Sequence, residues 1–256
     1  MSTQAVITSI RAHDFGVVSR AAQAGPDLAD QLRTTKPPLD ATSRQIAAAV
    51  VAKQNAAGAG NYLLAATGDD DVNVAAAAAR GLPGVTDLPP AKAILTVLPL
   101  RRGEFVRAQL YYALGNTRSA ESIERVRVLA STEADRRAAE AAQCALVKLG
   151  ARPERAAFLD RVAGARPDRV VEITDQLRYI ADVRLAKGID PWFTNENNVA
   201  RLGSDRGPEK MSRVCDHAVW TAHQLGVIFP PQPTHLDNYD GATISRALDA
   251  VRKIPD

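Results

Sequence analysis

The stretch FVRAQLYYALG, residues 105–115, has the small and apolar residues of a tightly packed helix, with a tyrosine pair inside the run. Steps of 32 residues along the chain reach three more segments that share one pattern. An apolar position is followed by a second at +4, a tiny residue at +7 and an aliphatic residue at +8, offsets that lie on one face of a helix. The four copies are Thr42, Ile46, Ala49 and Val50; Val74, Ala78, Gly81 and Leu82; Val106, Leu110, Ala113 and Leu114; and Ala138, Ala142, Ala145 and Leu146.

A second series with the same period lies between these helices. Its apolar helical segments contain Tyr62, Ile94, Val126 and Phe158 at aligned positions. The unit is therefore helix, turn, helix, turn, and such pairs have to stack because one pair cannot bury its own apolar face. With only 5% aromatic residues and no long β-branched runs, the sequence predicts an all-α chain.

These residues carry a resemblance to a known family. The pattern Val106-Arg107…Ala113-Leu114-Gly115 resembles the second helix of a HEAT repeat, especially the short bacterial HEAT-like class that includes bilin-lyase-related proteins. The resemblance covers residues 40–165 and also 214–226. It implies a right-handed α-solenoid (an α-α superhelix) of stacked HEAT-like helix pairs with an irregular C-terminal part, the second helices lining the concave side.

The family's aspartate and arginine positions are only partly kept. Asp71 and Val74 resemble the turn and the start of the second helix. Among the arginine positions only Arg107 matches, and Ala75 and Ala139 stand at the equivalent places.

The spacing also predicts how the chain is organised. Residues 1–39 are expected to form capping helices, residues 40–165 the regular HEAT-like repeats, and residues 166–256 irregular repeats with long loops, all within one continuous domain. In the last part, the sequence predicts a longer helix over 170–188, a repeat-like helix over 214–226 and a final amphipathic helix over 242–254.

Composition narrows the class of protein. The 256 residues carry a net charge of +3, which is too small a surplus to argue for nucleic acid. Cys144 and Cys215 cannot form a disulfide framework. Neither a secretion signal nor a membrane-length apolar run is visible, so a cytoplasmic protein that does not cross a membrane is expected.

Catalytic signatures are absent from the sequence. His217 and His223 are six residues apart, which does not place two metal ligands on one helix face, and His13 and His235 stand alone. The acidic run 69–71 is read as a helix start rather than a cation site, because carboxylates favour the amide end of a helix. We therefore predict no catalytic residue, metal or cofactor.

We call the four aligned series of apolar and tiny positions the core columns. The side of the second helices that lies opposite these core columns is the candidate binding surface. Its predicted partner-binding residues are Arg44, Arg80, Tyr111, Tyr112, Glu140 and Gln143. Tyrosine and arginine are common interface anchors. Two arrangements stay open for the tyrosines: both on the surface, or one of them wedged between adjacent repeats.

A possible functional loop lies in the irregular region 188–240. Trp192 and Phe193 precede Asn195 there, and we favour packing of these rings over ligand binding because an exposed tryptophan needs a reason.

Three functions are compatible with these features. The leading hypothesis is a non-enzymatic scaffold that binds a protein partner on the concave face of the solenoid. An alternative is a nucleic-acid-binding or DNA-repair protein, suggested by the arginines between 80 and 127. The other is a bilin-lyase-like small-molecule enzyme that would use the irregular region.

Overall fold

The computed structural model of the protein describes residues 1–202 and 210–255. Within them the chain is all-α apart from one short hairpin, which confirms the predicted class. The α-helices are α1 (Thr3–Arg11), α2 (Leu28–Thr34), α3 (Ala41–Gln54), α4 (Ala59–Ala66), α5 (Val72–Gly81), α6 (Ala91–Val97), α7 (Glu104–Asn116), α8 (Ile123–Ser131), α9 (Arg136–Lys148), α10 (Arg152–Ala163), α11 (Val170–Ile180), α12 (Val214–Gln224) and α13 (Gly241–Arg252).

Shorter elements complete the structure. The 3-10 segments are Phe15–Gln23, Leu82–Gly84, Leu98–Leu100, Ala120–Ser122, Pro167–Arg169 and Val183–Thr194. The hairpin pairs β1 (Asn198–Leu202) with β2 (Lys210–Arg213) in antiparallel register. Residues 203–209, which belong to the irregular segment discussed above, lie outside the described residues.

The chain divides into two compact units, Met1–Leu149 and Gly150–Asp256. The first contains α1–α9. The second contains α10–α13 and the hairpin.

In the first unit, the 32-residue step predicted the helices correctly. Its four copies are α3, α5, α7 and α9, and the intervening series gives α4, α6 and α8, with α10 following in the second unit. Each second helix packs against the next, α3 on α5, α5 on α7 and α7 on α9. The core columns are buried except for Thr42, Ala49 and Gly81, which are half-buried.

The tiny residues allow these helices to approach closely. A Cβ placed on Gly81 of α5 would lie 2.4 Å from the Cβ of Ala52 in α3, closer than two carbon atoms can stand. Gly81 therefore marks a position where the α3–α5 distance leaves no room for a methyl group.

Aspartate side chains cap two of the second helices, α3 and α5. The carboxylate of Asp40 accepts a hydrogen bond from the amide of Ser43 at 2.7 Å, and that of Asp71 accepts from Asn73 at 2.9 Å and Val74 at 3.2 Å. These caps satisfy amides that have no partner inside the helix. The interpretation of residues 69–71 as a helix start is confirmed.

The second unit contains one correction to the predicted elements. The helix expected over 170–188 ends at Ile180, because Ala181 takes a left-handed conformation with φ 56°. Asp182 then accepts a hydrogen bond from the amide of Arg184 and starts the 3-10 segment. The other two helices predicted there are present as α12 and α13.

Candidate functional site

Arg44 of α3 forms a clasp with the turn that precedes α5. Its Nε donates to Asp69 Oδ2 at 2.7 Å and its Nη2 to Asp69 Oδ1 at 2.9 Å, while Nη1 donates to the carbonyl of Leu39 at 3.0 Å. Asp69 Oδ1 also accepts from the amide of Asp71 at 2.9 Å. The bond from Arg44 lowers the pKa of Asp69, and the bond to Asp69 raises the pKa of Arg44.

Arg107 of α7 repeats this arrangement. Its Nε and Nη2 donate to the two carboxylate oxygens of Glu133 at 2.9 and 3.0 Å, Nη2 also pairs with Asp135, and Nη1 donates to the carbonyl of Arg101 at 3.3 Å. Glu133 Oε1 accepts from the amide of Asp135 at 3.3 Å. Glu133 and Asp135 follow Asp69 and Asp71 by two periods of 32 residues, so the acidic turns are equivalent. Arg107 follows Arg44 by 63 residues, so the two arginines are offset by one position of the repeat.

The repeat between them lacks the clasp. One period after Asp69 the chain has Arg101, and one period before Arg107 it has Ala75. Gly103, with φ 85°, stands where the other copies have Asp71 and Asp135. A guanidinium thus occupies the position of a carboxylate, and the side chain that would have faced it is reduced to a methyl group.

Arg101 is held in place without an acidic partner among the described residues. Its Nε donates to Oγ1 of the buried Thr67 at 2.9 Å. Its guanidinium lies against Gly68, where an added Cβ would come within 2.7 Å of Nη1. Burial lowers the pKa of Arg101, since desolvation disfavours the charged form.

Two adjoining cavities lie at this side of the first unit. The smaller, of about 480 Å³, is lined by Ala75, Arg101 and Phe105 among others. The larger, of about 970 Å³, is lined by Arg33, Arg44 and Tyr62 among others. Gly68, Asp69 and Asp70 line both. We call the surface formed by residues 33–39, 66–72 and 100–105 the loop edge.

Exposed aliphatic side chains border the smaller cavity. Val72 is 73% exposed and Leu100 is 70% exposed. In the larger cavity, burial and the charge of Asp69 raise the pKa of Tyr62 to about 12, so its hydroxyl stays protonated and can donate a hydrogen bond.

Tyr111 is not a surface anchor, in contrast to the arrangement with both tyrosines outside. It is 1% exposed, and burial together with the nearby charge of Glu133 raises its pKa to about 12. Tyr111 is one helical turn beyond Arg107, on the side that faces the α8–α9 turn. Tyr112 is half-buried, so one tyrosine is inside and the other reaches the surface.

The predicted surface opposite the core columns is narrower than expected. Five of its smaller residues are fully covered, namely Ala47, Ala48, Ala79, Ala108 and Cys144. The two inner helices of this series, α5 and α7, each pack against the second helix before and after them and against the first helix of their own pair. Because the side chains on this side are small, the neighbouring helices approach closely and cover them.

The other predicted binding residues reach solvent to different degrees. Arg80 is exposed, and its Cζ lies 5.5 Å from the ring centroid of Phe105, with Arg137 at 5.4 Å from the same ring. Glu140 is half-buried and pairs with Arg136 at 3.3 Å. Gln143 is half-buried. Arg44 is engaged by Asp69, with its side chain 38% exposed.

In the second unit, the candidate loop residues belong to the core. Trp192 is 1% exposed and its Nε1 donates to the carbonyl of Val162 at 2.8 Å, and Phe193 is 4% exposed. Asn195 is half-buried, with Oδ1 accepting from the amide of Asn197 at 3.0 Å and its carbonyl accepting from Cys215 at 2.9 Å. Packing of the two rings, the favoured interpretation, is confirmed.

Polar groups of α12 are satisfied inside the second unit. Asp216 is fully buried and accepts hydrogen bonds from Arg213, Asn238 and the amide of Tyr239, which lower its pKa against the effect of burial. His217 Nε2 is 3.1 Å from Ser212 Oγ, and burial lowers the pKa of His217. Ser212 and His217 are both buried, so this pair is not open to a substrate.

A third cavity, of about 580 Å³, lies at the C-terminal side of the second unit. It is bordered by Ile228, which is 85% exposed, and lined by Phe229, Arg246, Asp249 and Lys253 among others. None of the four histidines lines it.

The described part of the chain contains neither a metal-binding cluster nor a membrane-spanning helix. No group of three or more His, Cys, Asp or Glu side chains there has metal-binding geometry. No helix there is both long and apolar enough to cross a membrane.

Comparison of the chain with protein-family models, curated proteins and solved structures found no match. The resemblance to HEAT repeats therefore stays a prediction from the residues.

Sequence reasoning missed the loop edge. The predicted site residues did not include Arg101, Leu100 or Val72. The 32-residue repeat could have indicated Arg101. Extending the 32-residue step to the turns before the helices aligns Arg101 with Asp69 and Glu133 and reveals the exchanged charge.

Proposed function

We propose that this chain is a non-enzymatic scaffold, a HEAT-like α-solenoid that holds a protein partner along the loop edge and the second helices of its first unit. Support comes from the regular helix pairs, in which α3, α5, α7 and α9 pack in sequence. Stacked repeats present extended surfaces, and such surfaces commonly serve binding.

The observation that carries the proposal is the loop edge. Two adjoining cavities lie there, and the Arg44 clasp holds the turn that they share. Val72 and Leu100 expose most of their aliphatic surface beside the smaller one. Exposed apolar side chains that border one cavity are typical of an interaction site. These side chains stand on the rim of the cavity, outside its interior. A partner that covers them has to be larger than a small molecule bound inside the cavity.

The part of the predicted surface that reaches solvent extends this contact. By the resemblance, Arg80, Tyr112, Glu140 and Gln143 would face the concave side of the solenoid. Arginine and tyrosine suit an interface because they combine a large contact area with hydrogen bonding.

Binding is favoured over the other two hypotheses. Arg107 and Arg127 are neutralised by carboxylates, which leaves fewer cations for a phosphate backbone. The Ser212–His217 pair is buried, and the rings of Trp192 and Phe193 are part of a core, which gives an enzyme of the second unit no support.

Capture of a partner tests the proposal. The full chain is immobilised, incubated with a lysate of the cells that naturally express it, and the bound proteins are quantified by mass spectrometry. We expect one protein at near-stoichiometric amount, lost with Leu100→Asp and Val72→Asp.

Val128→Asp is the matched control, because Val128 is 54% exposed but lies on α8, outside the loop edge. It should capture the same protein as the unmodified chain. A lysate that yields no stoichiometric protein, or equal capture by all three variants, argues against the scaffold at this surface.

A further inference from the structure

The smaller cavity occurs where the repeat loses its ion pair. In the flanking repeats Arg44 and Arg107 reach the turn before the next second helix and hold a carboxylate there. In the middle repeat Ala75 lines a cavity of about 480 Å³ instead, and Arg101 lines it from the other side. No long side chain stands at position 75 of α5 to pair with this turn, and the exchanged charge makes one wall of the cavity cationic.

The guanidinium of Arg101 is oriented but not neutralised. Its Nε is occupied by Thr67 Oγ1 at 2.9 Å, whereas Nη1 and Nη2 have no hydrogen-bond partner among the described residues. Glycine at position 68 lets the plane of the guanidinium approach the chain, so the group is held in position before any ligand arrives. A preorganised guanidinium loses little conformational entropy on binding and pairs with a carboxylate through two parallel bonds.

The charges around the cavity leave a positive surplus. Four charged residues line it, Asp69, Asp70, Arg101 and Arg102, and Asp69 is already neutralised by Arg44. Two guanidinium groups therefore face one uncompensated carboxylate, that of Asp70. An anionic group entering next to Arg101 compensates this surplus.

Most of the remaining side chains of the lining are apolar. Ala75, Ala76, Phe105 and Val106 form the wall, and the rim carries the exposed side chains of Val72 and Leu100. A volume near 480 Å³ is within the range of about 300–1,000 Å³ of ligand-sized pockets. The cavity thus combines one anion-binding group with aliphatic surface on both sides.

We infer that this cavity is the docking site of a short partner peptide that presents an aspartate or glutamate side chain beside an aliphatic residue, with the carboxylate bound by Arg101. The inference rests on the proposed protein-binding function and specifies what the partner must carry. The aliphatic neighbour covers Leu100 or Val72, and the carboxylate takes the role that Asp69 and Glu133 have for the arginines of the flanking repeats.

Three phage libraries of seven-residue peptides provide the test, with the central residue fixed as Glu, Gln or Lys and the others random. On the purified full chain, we expect enrichment only from the Glu library, with Leu, Ile or Val next to the fixed residue. On Arg101→Glu, the Lys library should enrich instead, because the charge of the site is reversed.

The best Glu peptide is then synthesised with a fluorescent label and measured by anisotropy. Loss of a charge-assisted pair at Arg101→Gln should weaken binding about tenfold or more. Arg101→Lys, which keeps the charge but loses the planar fork, should weaken it less. Arg125→Gln removes an exposed arginine of α8 outside the cavity and should leave the affinity unchanged.

The inference would be overturned if the Glu library gave no enrichment, or if Arg101→Gln bound the peptide as tightly as the unmodified chain at unchanged thermal stability. It would also be overturned if no peptide bound and a DNA duplex of about 20 base pairs bound in a way that depends on Arg101. Because the peptides are synthetic, the outcome is independent of lysate capture. A captured partner that is lost with Leu100→Asp but kept with Arg101→Gln would support the scaffold function and argue against a carboxylate-binding site at Arg101.

Discussion

Arg107 holds Glu133 through two hydrogen bonds, from Nε to Oε2 at 2.9 Å and from Nη2 to Oε1 at 3.0 Å, and so ties α7 to the turn before α9. The side chain of Arg107 is 19% exposed and that of Glu133 is 7% exposed. A similar clasp joins Arg44 to Asp69. The repeat between them has no such clasp, and a cavity lies there beside Arg101.

Removing one partner of this clasp should destabilise the first unit. Arg107→Ala leaves the largely buried Glu133 without its cation, which we expect to lower the free energy of unfolding by roughly 2–3 kcal/mol. The loss should be smaller than for a fully buried pair, because the side chain of Arg107 is partly exposed. Urea denaturation followed by circular dichroism measures the loss.

Arg33→Ala serves as the comparison, since Arg33 pairs with Asp30 within one helix and both side chains are largely exposed. Its effect should stay within about 0.5 kcal/mol. Equal losses for the two variants would contradict the structural role of the Arg107 clasp.

The close approach of α3 and α5 at Gly81 predicts a steric effect. Gly81→Ala places a methyl group 2.4 Å from Ala52 Cβ and should lower the free energy of unfolding by about 1–3 kcal/mol through overpacking. This loss is expected even though replacing glycine by alanine ordinarily stabilises a helix. Gly84→Ala, where the added atom meets nothing within 4 Å, should be nearly neutral. Ala52→Gly should restore part of the loss in the double variant, as measured by thermal melts.

The tyrosine pair offers adjacent residues with opposite environments. Tyr111→Ala empties a core position and should destabilise the chain by roughly 3–5 kcal/mol. Tyr112→Ala removes a half-buried ring and should cost clearly less. Chemical denaturation distinguishes the two, and a smaller loss for Tyr111→Ala would place that ring at the surface after all.

Asp69 should contribute to acid sensitivity. The hydrogen bond from Arg44 holds its pKa below the ordinary value of 3.8, to which it returns on unfolding. The unfolded chain therefore takes up the proton first as the pH falls. The stabilisation is complete above the ordinary value and is lost as the pH drops through the folded one.

The free energy of unfolding, measured by urea denaturation between about pH 5 and pH 2, should accordingly fall less steeply in Asp69→Asn than in the unmodified chain. Asp70→Asn is the control, because the carboxylate of Asp70 makes no hydrogen bond among the described residues. Parallel slopes for Asp69→Asn and the unmodified chain would show that the clasp does not perturb this carboxyl.

Trp192 should act as a core residue of the second unit. Trp192→Phe removes part of a fully buried ring and the hydrogen bond to the carbonyl of Val162, and we expect a loss of about 2–3 kcal/mol. Both tryptophans, Trp192 and Trp220, lie in this unit, so their fluorescence reports its unfolding. Trp220→Phe, at a half-buried position, should lose less.

How much of the fold could be predicted is clearest in α7. Val106, Leu110, Ala113 and Leu114 recur at a fixed step, and helical geometry alone puts them on one buried face. The same step could not predict that Tyr111 is buried, because its burial depends on how the neighbouring helices pack against α7. In the second unit, without a period, the predicted helix over 170–188 continued past Ile180.

The sequence by itself determined the helix pairs of the first unit, since local periodicity and aspartate caps depend only on residues close in the chain. The tertiary structure alone decided which charges meet. Arg44 reaches Asp69, 25 residues away, and Arg107 reaches Glu133, 26 residues away. Among the described residues, the guanidinium of Arg101 instead donates to Thr67 and lines a cavity. Such pairings follow from how neighbouring helices stack, because side chains far apart in the chain meet only when the backbone brings them together.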